Sequence, residues 1–427
     1  MIRPLDKKIR SSIKINKKRV QQRLDKLSKF TIPERPWTRR AFTDDYASAR
    51  KWLIKEMKSA GLVIRLDAGG NLIGTIKGSN SKLGIIASGS HIDTVMGGGR
   101  YDGMLGVVAA LEAAQSIYES GIQLNHTLEI IDFLSEETSD YGISCIGSRA
   151  MSGNLSNKDL QFTNTSGENL GQAIKRIGGN PKKLNAPLRS KNELTAYLEL
   201  HIEQGRIIET SNKQIGVVTN IVGILRYEIT ISGRADHSGT TPMHLRQDAL
   251  VGASKFIEKV NSLAKTFQRT QGHLVATVGK LSVLPNATNV VPGEVRLSLE
   301  IRSDNKKRLN NFLNTMIKWS KIKIDKQEQL QIKYQPLSVS NPIFFADTVI
   351  NKVANSATSL GLSWMKIKSG AGHDAGYMAS LCPAGMIFIP CFDGRSHCPE
   401  ENITIKDAIN GASVLTHALL LLDNQES

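Results

Sequence analysis

Residues 83–137 read LGIIASGSHIDTVMGGGRYDGMLGVVAALEAAQSIYESGIQLNHTLEIIDFLSEE. Leu83–Ala87 is a short apolar run of the kind a buried parallel strand requires. A Gly-rich loop, Met96–Gly103, follows it, and Met104–Tyr118 then reads as a helix that stops near Gly121. Leu128–Leu134 is a second apolar run. Strand, crossover helix and strand make a βαβ unit, which argues for an α/β architecture with a mixed, largely parallel sheet flanked by helices. Thr195–Leu200 and Gly385–Pro390 add strands of the same type far along the chain. Upstream, residues 37–60 read as a helix, with Trp52, Leu53, Met57 and Leu62 at near-helical spacing.

Between those strands the texture changes. Val295, Leu297, Leu299 and Ile301 alternate with Glu294, Arg296, Ser298, Glu300 and Arg302, and Tyr227–Ile231 alternates too. Such alternation marks half-solvated antiparallel strands. Two amphipathic helices interleave with them, one lined by Leu250, Phe256, Ile257 and Val260, the other by Leu309, Phe312, Leu313, Met316 and Ile317. A small α+β domain, residues 218–332, is therefore expected as an insertion in a larger domain made of residues 31–217 and 333–427.

The chain has 427 residues and a net charge of +16, of which residues 1–30 carry +9. That segment reads as a basic, solvated, partly helical N-terminal arm. The remainder carries too little excess charge for a nucleic-acid interface. No apolar stretch approaches the roughly 18 residues of a membrane span. The four cysteines (Cys145, Cys382, Cys391, Cys398) form no CxxC pair. Together with the lack of a secretory h-region, they indicate a reducing, cytoplasmic setting.

Chemistry collects where strands end. His91 follows the first apolar run, His201 ends Thr195–Leu200, and His397 lies seven residues past Pro390. Glu136-Glu137 follow Leu128–Leu134, and Asp102 closes the Gly-rich loop. Ligands of open α/β sheets gather outside the carboxyl ends of the strands. Histidines and carboxylates converging there form a metal constellation. A carboxylate such as Asp102 suits a position shared by two cations, and one of two adjacent glutamates can bind metal while the other moves a proton. The Gly97-Gly98-Gly99 run is not a P-loop, because no Gly-Lys-Ser/Thr follows. In the inserted domain, Asp236–Pro242 is a polar turn, and Arg302 at a strand end has the guanidinium fork that suits a carboxylate. A turn with a helix cap, and a solvated surface arginine, are the plain alternatives for those two.

Ser90-His-Ile-Asp-Thr-Val, Gly98-Gly-Arg-Tyr-Asp-Gly and Glu136-Glu137 resemble the dinuclear metallopeptidase-like amidohydrolases. Leu200-His-Ile-Glu-Gln-Gly205, His237-Ser-Gly-Thr-Thr-Pro-Met243, Ser369-Gly-Ala-Gly-His-Asp-Ala375 and Ser396-His-Cys-Pro-Glu400 narrow the resemblance to the hydantoinase/carbamoylase-type amidases. That branch holds N-carbamoyl-L-amino acid hydrolases, β-ureidopropionases, allantoate amidohydrolases and ureidoglycolate amidohydrolases. The resemblance runs from about residue 38 to the C-terminus.

It implies a metallopeptidase-like catalytic domain and two divalent metal ions per subunit: zinc or manganese, with cobalt or nickel as further options. His91, Asp102 and His201 would hold one ion; Asp102, Glu137 and His397 would hold the other. Asp93 would orient His91, and Glu136 would be the general base. The inserted domain would form a lid and a homodimer contact, His237 reaching the partner's site to stabilise the oxyanion. Asn289 and Arg302, helped by backbone at Gly372, would grip a substrate carboxylate, and Gln204 would contact the ureido group. The implied reaction is hydrolysis of the N-carbamoyl group of a small carboxylate, releasing amino acid, CO2 and ammonia. Allantoate hydrolysis is the nearest alternative, ahead of a peptidase or N-deacylase and of a non-catalytic binding protein. In one respect the sequence departs from the pattern: Asp140-Tyr141 stand where the family often has Arg-Phe.

Overall fold

A computed structural model describes residues 13–184, 186–190 and 192–424. The chain divides into two compact units, one running up to Thr219 and again from Phe344, the other Asn220–Ile343.

The first unit is built on a mixed sheet. Its strands are β1 (Val63–Leu66), β2 (Leu72–Ile76), β3 (Ile85–His91), β4 (Thr127–Phe133) and β5 (Leu194–Ile202), then β6 (Ile215–Ile221), with β11 (Ile343–Phe344), β12 (Trp364–Ser369) and β13 (Ala384–Ile389) after the second unit. The order is β1-β2-β4-β3-β5-β13-β6-β11, with β12 beside β6. β4, β3, β5 and β13 are consecutive neighbours and mutually parallel. β2 and β6 run antiparallel to this central group. The apolar runs seen in the sequence are these parallel strands, and β3, β4, β5 and β13 are buried along nearly their whole length.

The crossover helix is Met104–Glu119, begun at Gly103 and buried on almost every side. It packs against β3 and against the helix Ile405–Asp423. The latter is long and apolar enough to cross a membrane by length and composition, but 67% of it is buried within the protein, as befits a core helix. Residues 37–60 contain a helix only over Asp44–Ser59, because Thr43 caps its N-terminus through the main-chain N–H of Tyr46.

The basic N-terminal segment is not simply solvated. Lys17–Ser28 is a helix capped by Asn16, with Val20, Leu24 and Leu27 buried and its apolar face against Met104–Glu119. Glu112, fully buried on that helix, draws in the charge. Arg19 Nε meets Glu112 Oε2 at 2.6 Å, and Arg23 Nη1 meets the same oxygen at 3.2 Å. Arg23 also reaches Glu56 (3.0 Å) and Gln115 (2.6 Å). The basic residues Arg3, Lys7, Lys8 and Arg10 lie outside the described residues.

The second unit is a four-stranded antiparallel sheet in the order β10-β7-β9-β8, with β7 Gly223–Ser232, β8 Leu274–Leu284, β9 Glu294–Ser303 and β10 Gln331–Ser340. Val295, Leu297, Leu299 and Ile301 of β9 are buried, as their alternation requires. They pack with Phe256 and Val260 of the helix Ala249–Gln271 and with Phe312 and Met316 of the helix Lys306–Ser320. This unit extends beyond residue 332 because β10 pairs with β7 along its whole length. β10 is largely exposed and carries a bulge after Pro336, so it offers no apolar run to read in the sequence.

Removing both arginines from Glu112, as in Arg19→Ala/Arg23→Ala, should cost about 3–5 kcal/mol, the penalty of an uncompensated buried charge. Adding Glu112→Leu should recover most of it. Urea denaturation of the three proteins checks this; equal midpoints for the double variant and the parent would contradict it.

Candidate metal centre

Four parallel strands deliver the polar groups to one edge. β3 ends in His91, β4 runs on through Leu134 and Ser135 into Glu136-Glu137, β5 carries His201, and the loop beyond β13 carries His397. Asp102 stands on the loop between β3 and the crossover helix. His91, Asp102 and His201 are buried, and one ligand atom from each lies within 4.8 Å of the others; Asp102, Glu137 and His397 form a second such group. Asp102 belongs to both. Its Oδ1 is 3.6 Å from His91 Nε2 and 3.2 Å from His201 Nε2. Its Oδ2 is 3.3 Å from His397 Nε2, which is also 3.2 Å from Glu137 Oε1. Glu136 Oε2 is 3.6 Å from His91 Nε2.

The imidazoles are aimed by main chain. His91 Nδ1 bonds the Asp93 carbonyl at 3.0 Å, and His201 Nδ1 the Ile202 carbonyl at 2.9 Å, which leaves both Nε2 atoms facing inward. The Asp93 carboxylate is farther from His91 Nδ1, at 3.5 Å. Its oxygens instead accept the main-chain N–H groups of Glu136 and Glu137, each at 3.1 Å. Asp93 thus holds the histidine with its carbonyl and the glutamate pair with its side chain.

The donor set fits divalent cations. His91 Nε2 is buried without a hydrogen-bond partner, as a ligand atom would be. The carboxylates also demand positive charge. Burial pulls the His91 pKa down, but Glu136, Asp93 and Asp102 push it well above the ordinary range. His201 is raised against its burial by Asp102 and Glu199. Hydrogen bonds donated to Asp102 and Glu137 lift His397 to about 11. Burial raises Asp102, yet His201, His397 and His91 hold it well below the usual carboxylate range. Burial and the neighbouring carboxylates Glu137, Asp374 and Asp102 drive Glu136 well upward, in spite of His91.

Close packing and strain accompany this. Gly103 has φ +69, and a Cβ there would lie 2.3 Å from the His91 ring. Ser135, Cys145, Gln204 and His397 all adopt positive φ, of 53° to 58°. Non-glycine residues in that region cluster at functional sites, where the surroundings must over-determine them.

Several groups here escaped the sequence reading. Glu401 Oε1 accepts from the main-chain N–H of Tyr101 (2.8 Å) and Asp102 (3.0 Å). Ser396 Oγ bridges Glu401 Oε2 (2.7 Å) and Asp102 Oδ2 (2.8 Å). Burial, with Asp102 nearby, lifts the Glu401 carboxyl to about 7. Glu401 fits only because residue 99 is glycine: a Cβ there would overlap its carboxylate. The signal available in sequence was its place directly after Ser396–Glu400. Behind His201, Glu199 accepts from Ser90 Oγ (2.7 Å), Tyr197 Oη (3.2 Å) and the Ala375 N–H (3.0 Å), while the His373 ring stacks edge-on against His201 at 4.5 Å. Glu199, His201 and His373 also lie at ligand spacing. However, Glu199 is satisfied by its donors and His373 Nε2 by Ser369 Oγ at 2.9 Å, so these two read as support for His201.

The remaining expected residues divide between the units. Gln204 Nε2 donates to Asp102 Oδ2 at 2.6 Å, and its Oε1 is buried without a partner. Gly372 is exposed. In the second unit, His237 is exposed, its Nδ1 accepting from Gly239 N–H at 3.0 Å, and its loop pairs with that of Asn289 through the Ser238 N–H to the Asn289 carbonyl. Arg302 Nε is engaged by Glu300 at 2.7 Å. At the departure from the family pattern, Asp140 pairs with Arg40 (2.6 Å), and Tyr141 Oη donates to Glu168 (2.7 Å), which Arg176 also holds.

Residues 87–421 match the sequence profile of Peptidase family M20/M25/M40. The chain belongs to that family and, within it, to the hydantoinase/carbamoylase-type amidases. It is 38% identical over 411 residues to an N-carbamoyl-L-amino-acid amidohydrolase of Paenarthrobacter aurescens, covering 96% of this chain and 99% of that one. It is 36% identical over 426 residues to a ureidoglycolate hydrolase of Arabidopsis thaliana, covering 96% and 88%. A solved hydantoinase/carbamoylase family amidase from Burkholderia multivorans superposes with a TM-score of 0.89 at 32% identity, over 97% of this chain and 100% of that one.

Glu401→Gln should weaken Zn²⁺ or Mn²⁺ binding about 10–100-fold, the usual effect of removing an outer partner of a ligand. Competition with a chromophoric chelator measures it, and unchanged affinity would deny Glu401 a part in holding Asp102.

Proposed function

We propose that this protein is a two-metal amidohydrolase that cleaves the N-carbamoyl group of an N-carbamoyl-L-amino acid in a cytoplasmic setting. The observation that carries the reading is Asp102, buried and shared by three imidazoles, with Glu136 beside the unpartnered His91 Nε2. Membership in the hydantoinase/carbamoylase-type amidases supports the reaction class, and the relative from Paenarthrobacter aurescens the substrate class. Four free cysteines fit a reducing compartment.

His91, Asp102 and His201 would hold one cation, and Asp102, Glu137 and His397 the other. The chemistry that divalent ions supply when bound in such a site is a water of lowered pKa and a polarised carbonyl. Glu136 takes the proton of the attacking water as the new C–O bond forms at the carbamoyl carbon. It then delivers that proton to the departing nitrogen as the C–N bond breaks. The raised affinity of Glu136 for a proton suits a group that must both accept and return one. Gln204 Oε1, buried and lacking a donor, is the acceptor available to a ureido N–H. Arg302 and Asn289, with main chain at Gly372, would bind the substrate carboxylate, and His237 of a second copy would face the developing oxyanion.

Ammonia release from N-carbamoyl-L-amino acids, N-carbamoyl-β-alanine, allantoate and ureidoglycolate, with Mn²⁺ or Zn²⁺ and after chelation, tests the reading. Metal-dependent turnover is expected with the carbamoyl amino acids and a loss of more than about 100-fold in Glu136→Gln, the scale of general acid–base catalysis. Full activity in that variant would remove the mechanism, and preference for allantoate or ureidoglycolate would replace the substrate. Inactive Glu136→Gln mixed with inactive His237→Ala should regain activity on subunit exchange, and no recovery would argue against His237 acting across a dimer.

A further inference from the structure

We infer that Cys145 is a positioning residue for Glu136, its thiol holding one carboxylate oxygen so that the other faces the metal edge. This rests on the reading of Glu136 as the general base.

Two observations lead to it. First, Cys145 Sγ donates to Glu136 Oε1 at 3.5 Å, while Glu136 Oε2 is the oxygen 3.6 Å from His91 Nε2. Among the described residues, no other side-chain hydrogen bond to Glu136 is present, so this thiol separates the roles of its two oxygens. Second, Cys145 occupies a left-handed conformation (φ 54, ψ 38) at the start of the helix Ile146–Ser152. Glycine or asparagine takes that conformation most readily, and a cysteine there is strained. The bend itself needs only the main chain: the Cys145 N–H donates to the Glu136 carbonyl at 2.8 Å, closing the loop 136–145. Nothing in the backbone therefore calls for a side chain here, and glycine would make the turn with less strain. The side chain present is aimed at the base.

Cys145 is 6% exposed, and burial together with Glu136 pushes its thiol pKa well up, so it stays protonated and remains a donor. A serine hydroxyl can make the same contact, whereas glycine and alanine cannot.

The test uses Cys145→Gly, Cys145→Ala and Cys145→Ser in the metal-loaded full chain, with the fastest substrate of the ammonia-release panel. Gly and Ala should lower kcat by up to about 100-fold, the scale of a misaligned reacting group, with KM, metal content and melting temperature unchanged or, for Gly, a higher melting temperature. Ser should restore most of the loss. Wild-type kcat in Gly or Ala, or a loss that follows melting temperature or metal content and is not rescued by Ser, would overturn the inference. An activity-independent reading is the infrared S–H stretch, identified by its disappearance in Cys145→Ala. It should shift in Glu136→Ala, and an unshifted band would exclude the contact. Glu136→Gln in the same assay separates the two claims. Full activity there removes the base itself, whereas an inactive Glu136→Gln beside a fully active Cys145→Gly removes only the thiol's part.

Discussion

The structure turns on one buried carboxylate. Asp102 has three imidazoles around it, and the chain spends much of its architecture keeping it ionised and still. Burial alone would protonate it, but His201, His397 and His91 hold its pKa well below the ordinary range. Its oxygens are further held by Ser396 and Gln204, and its own N–H is bonded to Glu401. These contacts come from three distant stretches of chain: β3, β5 with the loop after it, and the loop after β13. Parallel strands in the order β4-β3-β5-β13 are what allow these stretches to meet, because they bring four carboxyl ends to one edge. A buried acid among bases also explains the glycines. Gly103 and Gly99 are positions where a Cβ would strike His91 or Glu401.

The parts legible in sequence were those governed by local periodicity. β3, β4, β5 and β13 are apolar runs because both faces are covered, and β9 alternates because one face is wet. The residues at the ends of those runs were the ones the structure gathers around Asp102. The supporting groups were not legible, because their roles depend on separations no local pattern encodes. Glu401 lies 299 positions from the Asp102 N–H it accepts, and Glu199 points into the core from a strand whose burial masks it as structural. The same holds for the N-terminal helix. Its basic residues look solvated in sequence, because Glu112, the buried acid that recruits Arg19 and Arg23, is a lone charge within the apolar stretch Met104–Ala114. β10 went unread for another reason: its alternation, Ile332 and Tyr334 then Leu337 and Val339, is broken by the bulge after Pro336, and most of the strand is exposed.

Two kinds of segment meet at this edge. His91 and His201 sit at strand ends and are aimed by the main-chain carbonyls of Asp93 and Ile202. That arrangement tolerates little variation, since moving a strand end moves every neighbour bonded to it. The loop 136–145 is different. It leaves the sheet through the strained Ser135, returns at the strained Cys145, and is tied back at both ends. Its middle residues make contacts of their own, while the N–H groups of Glu136 and Glu137 answer to Asp93. Asp140 and Tyr141 lie in that middle, held by Arg40 and by the Glu168–Arg176 pair. Replacing an arginine by an aspartate there does not leave a bare negative charge, because Arg40 supplies the guanidinium from another segment. Asp140 is therefore paired with a partner of its own, separate from the Asp93 contacts that hold Glu136 and Glu137.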